Sequence, residues 1–255
     1  MWLLNSSIGK KLIMSISGIF LILFLLFHLS MNVAAVFSGE AYDMICGMLG
    51  ANWYAVAATL VLAAGFVIHI LYAFMLTVQN RKARGNDRYA INARPKGVEW
   101  ASQNMLVLGI IVILFAILHF SQFWYHMMFA ELLGHHEVAL CDGTMVSPQS
   151  GAAFINYYFK GNLVITIAYL VWYVALWFHL THGFWSAIQT IGWNNTVWMS
   201  RWECISKWVA TIICLAFAII TIIFYLNGVG GCCPASGCCY CANNLMVKSI
   251  LIEKK

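Results

Sequence analysis

The chain has 255 residues, of which 62% are hydrophobic and only 9% charged, with a formal net charge of +5 and a mean hydropathy of +0.81. Soluble domains carry roughly 25% charged residues, so this composition excludes a soluble globular protein and describes an integral membrane one. Three prolines, no low-complexity linker and no internal repeat argue for one bundle rather than several domains.

Five apolar runs reach the roughly 20 residues needed to cross a bilayer: Lys11–Phe37, Trp53–Val78, Gln103–Met127, Asn162–Ile188 and Ile205–Leu226. The first follows Lys10 and Lys11 as a signal peptide would. Its apolar core exceeds the roughly 7–15 residues of a signal h-region, so it reads as a retained helix. The expected organisation is a five-helix transmembrane domain over residues 1–228 and a Cys-rich C-terminal tail over 229–255.

Lys10 and Lys11, the cluster Arg81, Lys82, Arg84, Arg88, Arg94 and Lys96, and the pair Arg201 and Lys207 fall on one side of the membrane. The first-to-second connection has no basic residue and the third-to-fourth only Lys160. By the positive-inside rule the N-terminus is cytoplasmic and the C-terminus outside, with Lys248, Lys254 and Lys255 weakly opposing this. Trp53, Tyr54, Trp100, Tyr157, Tyr158, Trp198, Trp202 and Trp208 stand near the ends of the runs, as an aromatic belt requires.

An ionisable residue at membrane depth is costly and marks function by default. Each of the first four runs carries one such histidine: His28, His69, His119 and His179. Counted from the helix ends, His28 lies 17 residues past Lys11 and His119 16 past Gln103, both in outward-running helices and thus in the outer half. His69 lies 16 past Trp53 and His179 17 past Asn162, both in inward-running helices and thus in the inner half. At about 1.5 Å rise per residue the two levels are roughly 10 Å apart. Imidazole is a good axial ligand for haem iron, so each pair is a candidate clamp for one haem, with two haems stacked across the membrane. Gly65, four residues before His69, and Gly183, four after His179, share the ligand's helix face and would leave room for a porphyrin. The alternative is that each histidine is interhelical glue. A zinc site would want four ligands at one depth.

His182 lies one turn inward of His179 and reads as a propionate or hydrogen-bond partner, or as a packing residue. His126, at the outer end of the third run, sits at a depth suited to a quinone headgroup or simply to water. His135 and His136, with Glu131 and Glu137, read as a solvated loop. The tail's Cys232, Cys233, Cys238, Cys239 and Cys241 could bind metal or form disulfides, and Cys46 and Cys141 could form a bridge.

Ser15 to Asn32 (SISGIFLILFLLFHLSMN), the lone His69 and His119, and FHLTHGFW resemble the membrane subunit of succinate:quinone oxidoreductases, specifically the single-chain, five-helix, dihaem cytochrome b type of bacterial succinate dehydrogenases and fumarate reductases. The resemblance covers roughly Lys11 to Leu226. It implies axial ligation of the outer haem by His28 and His119 and of the inner haem by His69 and His179. His179 is preferred to His182 because the family pattern places a glycine four residues after the ligand, as Gly183 does. Ser15 and Ser17 occupy the place where family members bind a haem propionate.

The resemblance further implies an FAD-containing flavoprotein and an iron–sulfur subunit docked on the cytoplasmic face of the inner membrane, with electrons passing to or from a membrane quinone, usually menaquinone, and a possible dimer of complexes. Nucleic acid is not an expected partner. Glu40 and Asp43 correspond loosely to acids implicated in quinol oxidation. Trp177 stands where some members carry a glutamate proposed for proton transfer, so that pathway is not carried over. Alternatives are the cytochrome b anchor of a hydrogenase or formate dehydrogenase, and a proton-coupled transporter. The even spread of histidines argues against the first, and unbroken, proline-free runs against the second.

Overall fold

The computed structural model describes residues 6–84 and 100–229. Its elements, in chain order, are α1 (Ser7–Phe37), α2 (Gly39–Met48), α3 (Trp53–Arg84), α4 (Trp100–Leu132), β1 (Val138–Ala139), β2 (Met145–Val146), α5 (Gly151–Phe159), α6 (Leu163–Ile191) and α7 (Trp198–Asn227). The five long ones, α1, α3, α4, α6 and α7, are apolar enough to cross a membrane and coincide with the five expected runs. They are 29 to 33 residues long. At about 1.5 Å per residue each exceeds a hydrocarbon core of ~30 Å, which is why apolarity alone ended the runs several residues early.

Polar side chains and a left-handed glycine close the helices. Ser6 caps α1 by accepting from the Gly9 N–H at 3.0 Å. Ser38 ends α1 and starts α2, its hydroxyl accepting from the Ala41 N–H. Asn162 caps α6, which stops at Gly192 in the left-handed region, φ +93°, where a side chain would be strained.

The chain differs from a plain five-helix reading at its outer end, so named after the charge-based orientation. Two short helices, α2 and α5, lie in the outer connections and pack on each other. The Asp43 carboxylate accepts from the Ala152 N–H at 2.8 Å, capping α5 from a neighbouring helix. A side chain at Gly151 would run into Cys46 and Tyr42, so glycine lets the two helices approach. The third-to-fourth connection also holds a minimal antiparallel pair, Val138 opposite Val146 and Ala139 opposite Met145, which an all-α expectation did not include. Cys46 and Cys141 are not bridged. Burial, reinforced by the charge of Asp43, pushes the Cys46 thiol up to about 12, while Cys141 lies against Tyr157.

Four spanning helices form a square, with α1 beside α3 and α6, and α4 beside α6. α3 barely touches α4, and the diagonal partners α1/α4 and α3/α6 make next to no close backbone contact among the described residues. α7 packs outside the square, mainly on α6. Two apolar cores hold this arrangement. The outer one joins Ala35, Ile155, Phe159, Tyr169, Ile220 and Phe224. The inner one joins Ile22, Leu176, Leu180, Ala210, Ile213 and Phe217. Trp177 ties α6 to α7 through its Nε1 donating to Thr211 at 2.9 Å. Trp53, Tyr54, Trp100 and Trp198 are exposed at helix ends as a belt requires; Trp208 is exposed but lies ten residues inside α7, which starts at Trp198, and Tyr157, Tyr158 and Trp202 are partly buried. The Cys-rich tail, and Arg88, Arg94 and Lys96 of the basic connection, lie outside the described residues.

Candidate functional site

The four deep histidines meet across the two diagonals of the square. His28 of α1 and His119 of α4 face each other with ring centroids 5.8 Å apart and planes at 85°. His69 of α3 and His179 of α6 do the same at 6.3 Å and 69°. The pairing is the one that depth counting gave. Two levels are also evident along α6 alone: Trp172 lies 5.8 Å from the His119 ring, and His179, seven residues further on, reaches His69. Seven residues correspond to about 10 Å of helix.

The outer pair sits among rings. His28 stacks on Phe24 at 5.5 Å and tilts against Phe217 at 5.9 Å. His119 is flanked by Phe120, Phe123, Tyr169 and Trp172 at 5.2 to 6.2 Å. Its Nδ1 lies 3.2 Å from the Tyr169 hydroxyl. Asn32 donates to the His28 carbonyl at 2.8 Å and reaches the ring's Nε2 at 3.4 Å. Immediately after His119 the helix changes to π-helical hydrogen bonding over Phe120–Phe129. Such segments are rare and concentrate at functional sites.

The inner pair is built differently. Ser17 and Ser15 are both buried. The Ser17 hydroxyl donates to the Met14 carbonyl at 3.0 Å and stands 3.3 Å from Nδ1 of His69. With its single proton given to Met14, Ser17 meets the imidazole as an acceptor. That favours the Nδ1–H tautomer of His69 and leaves a lone pair on Nε2. Ser15 donates to the Lys11 carbonyl at 2.9 Å. Glycines face both rings: a Cβ on Gly18 would lie 3.2 Å from Cε1 of His69, and one on Gly109 3.7 Å from Cε1 of His179. The buried Nδ1 of His179 has no hydrogen-bond partner among the described residues, a state that calls for an explanation in a folded interior.

Of the two glycines singled out from helix faces, Gly65 behaves otherwise than expected and Gly183 does not. Gly65 meets the Phe20 ring, at 2.8 Å from an added Cβ, so it serves the close packing of α1 on α3 and not an open space. Gly183 has only Met105 within reach, at 3.9 Å. A helix wheel shows which face a glycine shares with a histidine but not what stands opposite.

His182 lies edge-on to Trp185, ring centroids 5.0 Å apart. His126 lies in the π-helical segment, half-buried, against Tyr125 and Phe154, with no hydrogen-bond partner for Nδ1 among the described residues. Glu40 is exposed in the first turn of α2, where its charge suits the helix dipole. Asp43 is occupied in capping α5, and burial raises its pKa while the Ala152 hydrogen bond partly offsets that. The start of α5 thus receives both Asp43 and His126, through Ala152 and Phe154. Sequence reasoning missed Tyr169, Gln122, Gly18, Gly109 and Asn32, all on the interior faces of spanning helices.

Among the described residues no three of His, Cys, Asp and Glu converge. What converges is two imidazoles, twice. No family model, curated protein or solved structure matches the chain.

Proposed function

We propose that this chain is the membrane subunit of a quinone-linked electron-transfer enzyme of the succinate:quinone oxidoreductase kind. In this reading His28 and His119 hold one haem b, and His69 and His179 a second. The observation that carries the reading is the meeting of two imidazole pairs on crossed diagonals at two depths. Two imidazoles bonded to one metal ion from opposite sides, each through a nitrogen about 2 Å away, place their ring centroids ~6 Å apart. The observed 5.8 and 6.3 Å fit that spacing.

Bound at these pairs, haem b supplies reversible one-electron chemistry. The protein does the rest. The square of helices holds the rings at two levels, the apolar cores exclude water, and Ser17 and Tyr169 hold His69 and His119 from behind, as carboxylates and carbonyls do for metal-ligating histidines elsewhere. FAD-carrying and iron–sulfur partners would dock on the basic, cytoplasmic side, and a membrane quinone, menaquinone by resemblance, would react near the outer end, where Asp43 and His126 approach α5.

The test is colour. The purified full-length protein should show the reduced-minus-oxidised α band of bis-histidine haem b, with two haems per chain by pyridine haemochrome. A colourless preparation from haem-replete cells overturns the proposal. Co-purification with flavin- and iron–sulfur-containing partners and succinate-dependent quinone reduction test the narrower assignment. Haem without such partners removes that assignment and keeps the electron-carrying role.

A further inference from the structure

A glutamine in the middle of a membrane bundle is costly unless its amide is satisfied. Gln122 is buried, 6% exposed, three residues after His119 in the π-helical segment. Its Oε1 accepts a hydrogen bond from the Tyr169 hydroxyl at 2.6 Å, and that same hydroxyl lies 3.2 Å from Nδ1 of His119. Tyr169 is itself buried, 3% exposed. A phenol has one proton to give. Once Gln122 takes it, Tyr169 can meet the imidazole only as an acceptor, so His119 carries its proton on Nδ1 and keeps the lone pair on Nε2.

We propose that Gln122, acting through Tyr169, sets the tautomer of His119 and thereby makes the outer pair competent to bind metal. Both are positioning residues: Tyr169 meets His119 at Nδ1, and Gln122 reaches it only through Tyr169. The consequence for haem rests on the function proposed above, whereas the tautomer itself does not depend on it.

The distal residue then matters more than the near one. In Gln122→Leu the Tyr169 proton loses its acceptor and turns to Nδ1, opposing the ligand tautomer. In Tyr169→Phe the opposing proton is gone, and His119 merely loses a hydrogen bond. The experiment uses full-length protein in lipid with ¹⁵N-labelled histidine, reading the His119 ring nitrogens by solid-state NMR, together with haem content and the potentials of both haems. In the wild type Nδ1 should be protonated and hydrogen-bonded.

Gln122→Leu should lower the affinity for the outer haem about tenfold, the worth of one unmet buried hydrogen bond. Tyr169→Phe should keep that haem and raise its potential, because a less basic ligand stabilises the ferric state less. The inner haem should not move in either. Gln122→Glu, which keeps an acceptor, and the double variant Gln122→Leu with Tyr169→Phe, which removes the misdirected proton, should both restore haem binding. A wild-type His119 protonated on Nε2, or a Gln122→Leu variant with full outer haem and unchanged potential, overturns the proposal. If the wild type binds no haem, the electron-transfer reading fails and the NMR result alone decides this one.

Discussion

The outer and inner histidine pairs present the same two rings at nearly the same spacing, but the protein encloses them by different means. At the outer level His119 is held by four neighbouring aromatic rings and a tyrosine–glutamine chain. At the inner level the pair has no such ring of aromatics among the described residues, and glycines on α1 and α4 stand where bulk would otherwise be. The helices differ to match. α5, α6 and α7 carry the buried core around the outer pair, whereas α3, which brings His69, packs along α1 and buries almost nothing. A site made by packing tolerates loss of volume poorly. One made by vacancy tolerates gain of volume poorly.

The largest effects should come from the histidines themselves and should respect the pairing. Replacing His28 or His119 by Ala should remove the outer haem, and replacing His69 or His179 the inner, halving the pyridine haemochrome in each case. His182→Ala should leave both haems bound. Loss of haem from the His182 variant with retention in the His179 variant would mean that the ligand on α6 has been misassigned.

Next come the glycines that distinguish the inner level. At Gly18 even a methyl would lie 3.2 Å from the His69 ring, which must yield by a few tenths of an ångström, and a branched side chain has nowhere to go. Gly18→Val should abolish the inner haem spectrum and spare the outer. Gly109→Ala makes only an ordinary contact at 3.7 Å and should leave both. Equal sensitivity at the two positions would remove the argument that space at His69 is set by α1. Gly65→Ala should cost about 1–3 kcal/mol of stability, as overpacking does, through its 2.8 Å approach to Phe20. It should be read as a lowered Tm in detergent, with both haem signals intact in the folded protein.

The depth of each histidine was legible because an α-helix has a fixed rise and the apolar runs have definite ends. His119 comes before the π-helical segment, so the count of residues along α4 to it runs through regular α-helix. What stands beside each ring was not legible. Tyr169 is 50 residues from His119 and Gln122 is 47 from Tyr169, and only the lateral order of helices brings them together. Gln122 did leave a trace, as an uncharged amide inside an apolar run, and buried amides ask for a partner. The outer helices α2 and α5 left weaker ones, since their lengths of 10 and 9 residues fall short of a span and they are ordered by each other. Asp43 shows the cost of reading a residue alone: its carboxylate is committed to the N-terminus of α5, 109 residues along the chain.

That commitment gives the smallest effect, and it separates structure from chemistry at the outer end. Burial raises the pKa of Asp43 in the folded state, so the native protein holds this proton more tightly than the unfolded chain does. The sign follows from linkage: the stability associated with the bound proton is fully present below the ordinary carboxylate pKa and is lost as pH rises through the raised value. The wild type should therefore lose some thermal stability across the mildly acidic range. Asp43→Asn, which can still accept from the Ala152 N–H, should flatten that part of the profile. Asp43→Ala removes the cap and should cost about 1 kcal/mol at every pH in the range. If quinone turnover at matched haem content falls in the Ala variant but not in the Asn variant, Asp43 serves the outer end as a cap. Equal loss in both would place its proton in the reaction.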